Sequence, residues 1–241
     1  MDSIKINENL MRRIVRAIDK AIADDVPQYL RENHKETNNA AIQLRGDCIN
    51  ENLRNLVVGG DIEFVPFKRY VWEGRMIVDR ADKITYTITT QKTLRAVPRK
   101  QRNKPHFLQT ILYKENGGYE APIKQMTLME LFPFEEDVLE DDYNSIVGDL
   151  IDSAEGYRHY IIAYEAENSE LRDIQLEFLD KDFNIIAAAS LNEYIKPDFA
   201  RLTDVEPVAE AYSDEADGET RSLLTIKPGL RPKLREVEKQ A

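Results

Sequence analysis

Apolar residues near the start of the chain recur at three- and four-residue steps: Leu10, Met11, Ile14, Val15, Ile18, Ile22 and Val26. That spacing lines one side of a helix and predicts an amphipathic α-helix beginning at Asn7 or Glu8, with Arg12, Arg13, Arg16 and Lys20 on its outer face. Pro27 is expected to interrupt it, because proline has no amide N–H, leaving residues 28–31 as a last or offset turn. After the polar stretch HKETNN a second helix is predicted. Arg45-Gly46-Asp47 reads as a loop feeding it, with Asp47 as N-cap, Ile49, Leu53 and Leu56 facing the core, and Gly59-Gly60 closing it.

From Ile62 the period changes to two, the signature of strands. Residues 62–67, 69–79 and 83–90 form three runs; Pro66 argues for an edge or a bulge, and Gly74 for a bulge or turn. In the third run Ile84, Tyr86 and Ile88 share one face and Thr85, Thr87 and Thr89 the other. Arg80-Ala81-Asp82 is short and polar enough to turn a hairpin, so an antiparallel meander is expected. A basic loop, residues 95–104, follows; Pro105 then fits the first turn of a helix burying Phe107, Leu108, Ile111 and Leu112, ended by Asn116-Gly117-Gly118. Beyond Tyr119 come the acidic run EEDVLEDD, a helix expected over 143–152, strands over 158–166, 173–179 and 183–189, and one helical turn over 191–194. From Thr203 acidic and small residues dominate, so a mobile tail with a basic end is expected.

This order predicts an α+β fold: N-terminal helices, an antiparallel β-meander with a packing helix, a second small antiparallel sheet, and a mobile C-terminal tail. The provisional division is 1–118, 119–202 and 203–241, with the first two free to form one domain.

Charge changes the picture more than composition does. Across 241 residues the net charge is -11, but residues 41–115 hold 14 basic and eight acidic residues, while residues 116–220 hold six and 27. A polyanion is repelled by the chain as a whole and attracted by its middle. No 18-residue apolar run occurs and the N-terminal residues lack the apolar stretch of a signal peptide, so a cytoplasmic protein with no membrane partner is expected. Cys48 is the single cysteine, which excludes an internal disulfide or a multi-cysteine metal site.

Candidate chemistry concentrates in the basic loop. Arg95, Arg99, Lys100, Arg102, Lys104 and His106 fall in 12 positions without a carboxylate, and Lys68, Arg69 and Arg75 lie on the preceding strands. Groups of this kind suit phosphates, with Tyr70, Trp72 or Phe107 as stacking surfaces for unpaired bases. The competing reading is a solvated loop, or one paired with the acidic run at 135–142. A divergent metal-dependent nuclease is the alternative enzyme: Asp61 with Glu73-Gly74-Arg75, or Asp79 with Gln91 and Lys92, is a loose fit to two carboxylates and a lysine around Mg2+. Otherwise no cofactor is expected. His34, His106 and His159 have no metal-ligand spacing, and no glycine-rich phosphate loop or nucleophile elbow is present. Residues 157–160, Tyr-Arg-His-Tyr, are read as strand packing.

The runs RGDCINENLRNL, VPFKRYVWEGRMIVD, TYTITTQKTL and PRKQRNKPHFLQTIL resemble a bacterial domain family of unknown function from Gram-positive genomes, over residues 36–114. The resemblance transfers no catalytic residue; it implies that Arg45, Asp47, Lys68, Arg69, Trp72, Arg75, Asp79 and the PHFLQ stretch belong to one unit. Its bacterial setting is the basis for expecting a role in gene regulation or phage defence. The leading expectation is a binding protein that contacts nucleic acid or another polyanion through the basic loop. A protein-protein adaptor or inhibitor that binds with its acidic half is the remaining alternative.

Overall fold

The computed structural model describes residues 4–196, apart from 5–6, 35–36, 38, 70–71, 127–132, 149–150 and 152–155, and the side chains of Arg69 and Trp72. The expected tail over 203–241 lies outside the described residues, as does Tyr70.

Helix α1, Glu8–Lys20, starts where expected: the Asn7 side chain accepts from the Leu10 N–H at 3.1 Å. Pro27 does not stop it. A single π turn, Ala21–Asp25, leads without a break into α2, Val26–Glu32, which carries the proline in its first turn. Helix α3, Ala41–Leu56, begins earlier than expected and runs straight through Arg45-Gly46-Asp47, so Asp47 is not a cap. Its buried Asn52 donates to the Ala17 carbonyl at 3.3 Å and to Asp25 at 2.6 Å, pinning α3 to the end of α1. Gly59 and Gly60, both at positive φ, make the tight turn into the first strand rather than closing the helix.

Strands β1 (Ile62–Arg69), β2 (Trp72–Asp79) and β3 (Ile84–Thr90) form the antiparallel meander. Pro66 sits in β1, which is an edge strand, and Gly74 pairs in register with Phe67 without a bulge. The Asp79 carboxylate accepts from the N–H groups of Ala81 and Asp82, both at 3.1 Å, and thereby shapes the hairpin turn.

The basic loop is shorter than expected. Residues 91–99 are helical: α4 (Gln91–Ala96) is capped by Thr90, which accepts from the Thr93 N–H, and a 3-10 turn, Val97–Arg99, follows. Leu94 and Val97, three apart, are the buried pair that draws this segment onto the sheet. Helix α5, Phe107–Glu115, starts after Pro105; His106 is its cap, the ring Nδ1 accepting from the Leu108 N–H at 3.3 Å. The acidic run is itself a helix, α6 (Glu136–Ile146), displacing the one expected over 143–152. Leu139, Tyr143 and Ile146 form its buried stripe, and Glu136 and Asp137 sit in the first turn, where the helix dipole favours negative charge.

Strands β4 (Arg158–Glu167), β5 (Glu170–Leu179) and β6 (Ile185–Ser190) complete the fold, with a 3-10 turn at Asn192–Tyr194. They do not form a second sheet. β4 pairs in parallel with β3, Ile84 opposite Arg158 through Thr90 opposite Tyr164, giving one six-stranded sheet in the order β1-β2-β3-β4-β5-β6. Parallel neighbours require a crossover, and residues 91–157 supply it with α4, α5 and α6.

The alternation along each strand divides the core. Ile62, Ile77, Ile84, Tyr86, Tyr160, Ile162 and Ile174 point to the face covered by α1 and α3. Val65, Met76, Val78, Leu179, Ile161 and Ala163 point to the other, under α4, α5 and α6. No helix among the described residues is long and apolar enough to cross a membrane.

Candidate nucleic-acid interface

The crossover carries the basic residues to the surface. Arg99, Lys100, Gln101, Arg102, Asn103 and Lys104 are all exposed, between the turn that ends at Arg99 and the buried Pro105. Arg99, Lys100 and Arg102 have no carboxylate within ion-pair distance among the described residues, so their charge faces solvent.

The other predicted site residues divide. Lys104 faces Asp141 and Asp142 of α6 across a shallow depression that also takes in Lys68. The acidic helix thus borders the Lys104 end of the loop. Lys68 pairs loosely with Glu73 at 3.8 Å on the exposed hairpin. The Arg75 guanidinium donates to the Gly74 carbonyl at 2.9 Å. Arg95 is engaged inward: its guanidinium holds the buried Glu177 carboxylate of β5 with two hydrogen bonds, 2.6 and 3.1 Å. Burial raises the Glu177 carboxyl above its ordinary value, and the arginine opposes that rise. His106 is used as a helix cap, its ring 4.6 Å from that of Phe107. Phe107 in turn is half-buried and packs 5.6 Å from Phe67. The Arg69 and Trp72 side chains lie outside the described residues.

The nuclease spacings do not converge. Asp61 adjoins Ile62, which pairs with Asp79, whereas Glu73 pairs with Lys68 at the far end of the hairpin. Glu73 and Asp79 are six residue steps apart along the strand, roughly 20 Å at the usual rise per residue. Gln91 likewise follows the end of β3 opposite to Ile84, the partner of Asp79. Among the described residues no group of three or more His, Cys, Asp or Glu is placed to hold a metal ion.

Sequence reading missed a buried polar cluster beneath α5. The threonines of β3 look like a solvent face, yet Thr85 and Thr87 are buried, and His159 of β4 lies between them, fully buried. Thr87 Oγ1 is 2.8 Å from His159 Nε2, and Thr85 Oγ1 is 2.7 Å from Nδ1. Thr85 donates its own proton to Glu115, so it accepts from Nδ1–H, and Nε2 accepts from Thr87. Tyr143 of α6 donates to the other Glu115 oxygen at 3.2 Å. Burial pushes the Glu115 carboxyl up to about 7 and the His159 imidazole down to about 3. Their 3.9 Å approach is therefore the contact of a neutral ring with a carboxyl, not an ion pair. Asn116, the C-cap of α5, donates to the His159 and Leu179 carbonyls at 2.9 and 2.8 Å and accepts from the His159 N–H at 2.9 Å. The buried cluster locks the end of α5 onto β3, β4 and β5. No sequence signal marked it, because only the register of β4 on β3 brings the histidine beside the threonines.

No curated protein and no solved structure matches this chain. The model of a family of unknown function, DUF5986, matches residues 3–240, far beyond the 36–114 over which the resemblance was drawn. On that coverage the chain belongs to this family, and the helices, the sheet and the exposed basic loop lie within the matched span.

Proposed function

We propose that this chain is a non-enzymatic cytoplasmic binding protein that contacts nucleic acid through the loop at residues 99–104. The observation that carries the reading is that Arg99, Lys100 and Arg102 are exposed without a carboxylate partner among the described residues, in a chain whose net charge is -11. An acidic protein gains nothing in solubility from three adjacent free cations, whereas a phosphate backbone gains charge-assisted hydrogen bonds from them. The single, half-buried Cys48 is in keeping with a reducing compartment.

The test is fluorescence anisotropy with labelled single- and double-stranded DNA and RNA over a range of salt concentrations. Log affinity should fall linearly with log salt, with a slope of about -2 to -3 for three phosphate contacts. Replacing Arg99, Lys100 and Arg102 together by Ala should abolish binding at low salt and leave the melting temperature nearly unchanged. Absence of binding by the unaltered chain at low salt would retire the reading.

A further inference from the structure

The two edges of the sheet are not protected alike. β1 carries Pro66 and Lys68, residues that discourage a further strand from pairing. β6, with the sequence IIAAAS, carries no charge and no proline, and among the described residues its outer edge pairs with no strand. In an antiparallel ladder every second residue points its N–H and C=O away from its neighbour, so part of the β6 backbone faces outward with no partner among the described residues.

That edge lies in a groove of about 1400 Å³, lined along one side by Ile185, Ile186 and the alanines 187–189. Residues 119–126 supply a further wall, where apolar side chains stand exposed beside the Glu120–Lys124 ion pair. Ile123 is 75% and Met126 80% exposed, and Tyr119 also lies open. This wall is tied by hydrogen bonds to the β5–β6 turn. The Asp180 carboxylate accepts from the Asp182 and Asn184 N–H groups at 2.9 Å and from the Ala121 N–H at 3.2 Å. Asn184 Oδ1 accepts from the Gln125 N–H at 2.8 Å. The same turn holds Phe183 at a φ of 66°, a conformation costly for an aromatic residue, with its side chain lining the groove. Two cations without a carboxylate partner among the described residues, Arg99 and Arg158, stand on the lining, while Arg95 is neutralised by Glu177.

We infer that the β6 edge and the wall at residues 119–126 form a docking site for an extended acidic peptide segment of a partner protein, which adds to the sheet as a seventh strand. The unpaired β6 backbone selects a strand over a lipid chain, because only another backbone satisfies those N–H and C=O groups. The exposed apolar side chains select alternating apolar residues, and Arg158 with Arg99 selects carboxylates between them. The wall fixed by Asp180 and Asn184 reduces the ordering cost of binding. This site shares Arg99 with the proposed nucleic-acid contact and is otherwise distinct from Lys100 and Arg102.

The full chain is panned against a displayed library of random dodecapeptides, and enriched peptides are synthesised and titrated by anisotropy. Enriched sequences should alternate apolar residues with Asp or Glu. N-methylation of alternate peptide residues, which removes backbone donors without touching the protein, should weaken binding at least tenfold. Ile123→Asp with Met126→Asp should weaken it at least tenfold while the circular dichroism spectrum and DNA binding are retained, since neither exposed residue supports the core or the basic loop. Arg158→Gln should weaken acidic peptides and spare a neutral one of the same pattern. The inference is overturned if no sequence is enriched, if N-methylated peptides bind as well, or if enriched peptides are basic or follow a helical period. Sedimentation showing that the edge is filled by a second copy of this chain would also overturn it.

Discussion

Arg95 and Arg99 are four residues apart and indistinguishable by type, yet they have opposite consequences. Arg95 neutralises a carboxylate that is 1% exposed; Arg99 neutralises nothing among the described residues. Arg95→Ala should therefore cost about 2 kcal/mol in urea unfolding, because Glu177 is left buried and alone, while Arg99→Ala should change stability by less than about 0.5 kcal/mol. Equal effects would show that the Glu177 pair contributes nothing. The buried cluster makes a second prediction at this scale. Glu115, raised from 4.5 to about 7, stabilises the fold in its protonated form, fully below pH 4.5 and less as pH rises toward 7. His159, lowered from 6.5 to about 3, does the reverse: its contribution is full above pH 6.5 and is lost as pH falls toward 3. Between pH 4.5 and 6.5 the two slopes cancel. Glu115→Gln removes one of them, so the variant should lose on the order of 2–3 kcal/mol from pH 6.5 to 4.5 relative to the unaltered chain, at about 1.4 kcal/mol per pH unit. A variant whose pH dependence parallels the parent would exclude His159 as the titrating group.

Among the elements, those with an uninterrupted apolar period were legible. Asn7 and the stripe from Leu10 to Val26 led directly to α1, and the alternation of Ile84, Tyr86 and Ile88 led to β3. Elements dominated by charge were not. The pairs Leu94 with Val97, and Leu139 with Tyr143 and Ile146, carry α4 and α6, but each stripe is thin and surrounded by residues that read as a loop or an acidic run. Asp47 resembles a cap because it is a carboxylate after glycine, whereas α3 runs through that glycine and is pinned to the end of α1 by Asn52. The caps and stops are testable. Thr90→Ala should destabilise α4 by about 1 kcal/mol, and with it the base of the basic loop. At Gly117, just past α5, an added Cβ would lie 2.4 Å from the Tyr113 carbonyl oxygen. Gly117→Ala should accordingly lower the melting temperature by several degrees, measured by thermal circular dichroism; an unchanged value would mean that the helix end shifts freely.

For the whole molecule, the composition of the strands was readable and their partnership was not. β3 and β4 are separated by the entire crossover, and nothing in either run announces that Thr85 will lie opposite His159. The candidate interface was half legible for a related reason. Charge density identified residues 99–104, but which cations remain available depends on Glu177 and on the α6 carboxylates, both distant in sequence. The groove beside β6 was not legible at all, because its walls come from residues 119–126 and 185–189 and are joined by the side chains of Asp180 and Asn184.

The parallel pairing of β3 with β4 has a consequence for the chain as it is made. When residues 1–118 have left the ribosome, the meander is complete, but β3 exposes the full length of its inner edge, and its partner has yet to be synthesised. A fragment ending at Gly118 should be insoluble or sticky, with slow and incomplete refolding, since a strand with Ile84, Tyr86 and Ile88 on one face and an open ladder edge is a template for self-association. Adding residues 119–196 to the same polypeptide should restore a soluble species, whereas supplying them as a separate peptide should do so slowly. The break in composition near residue 118 is thus a seam in the sequence that runs through the middle of one sheet.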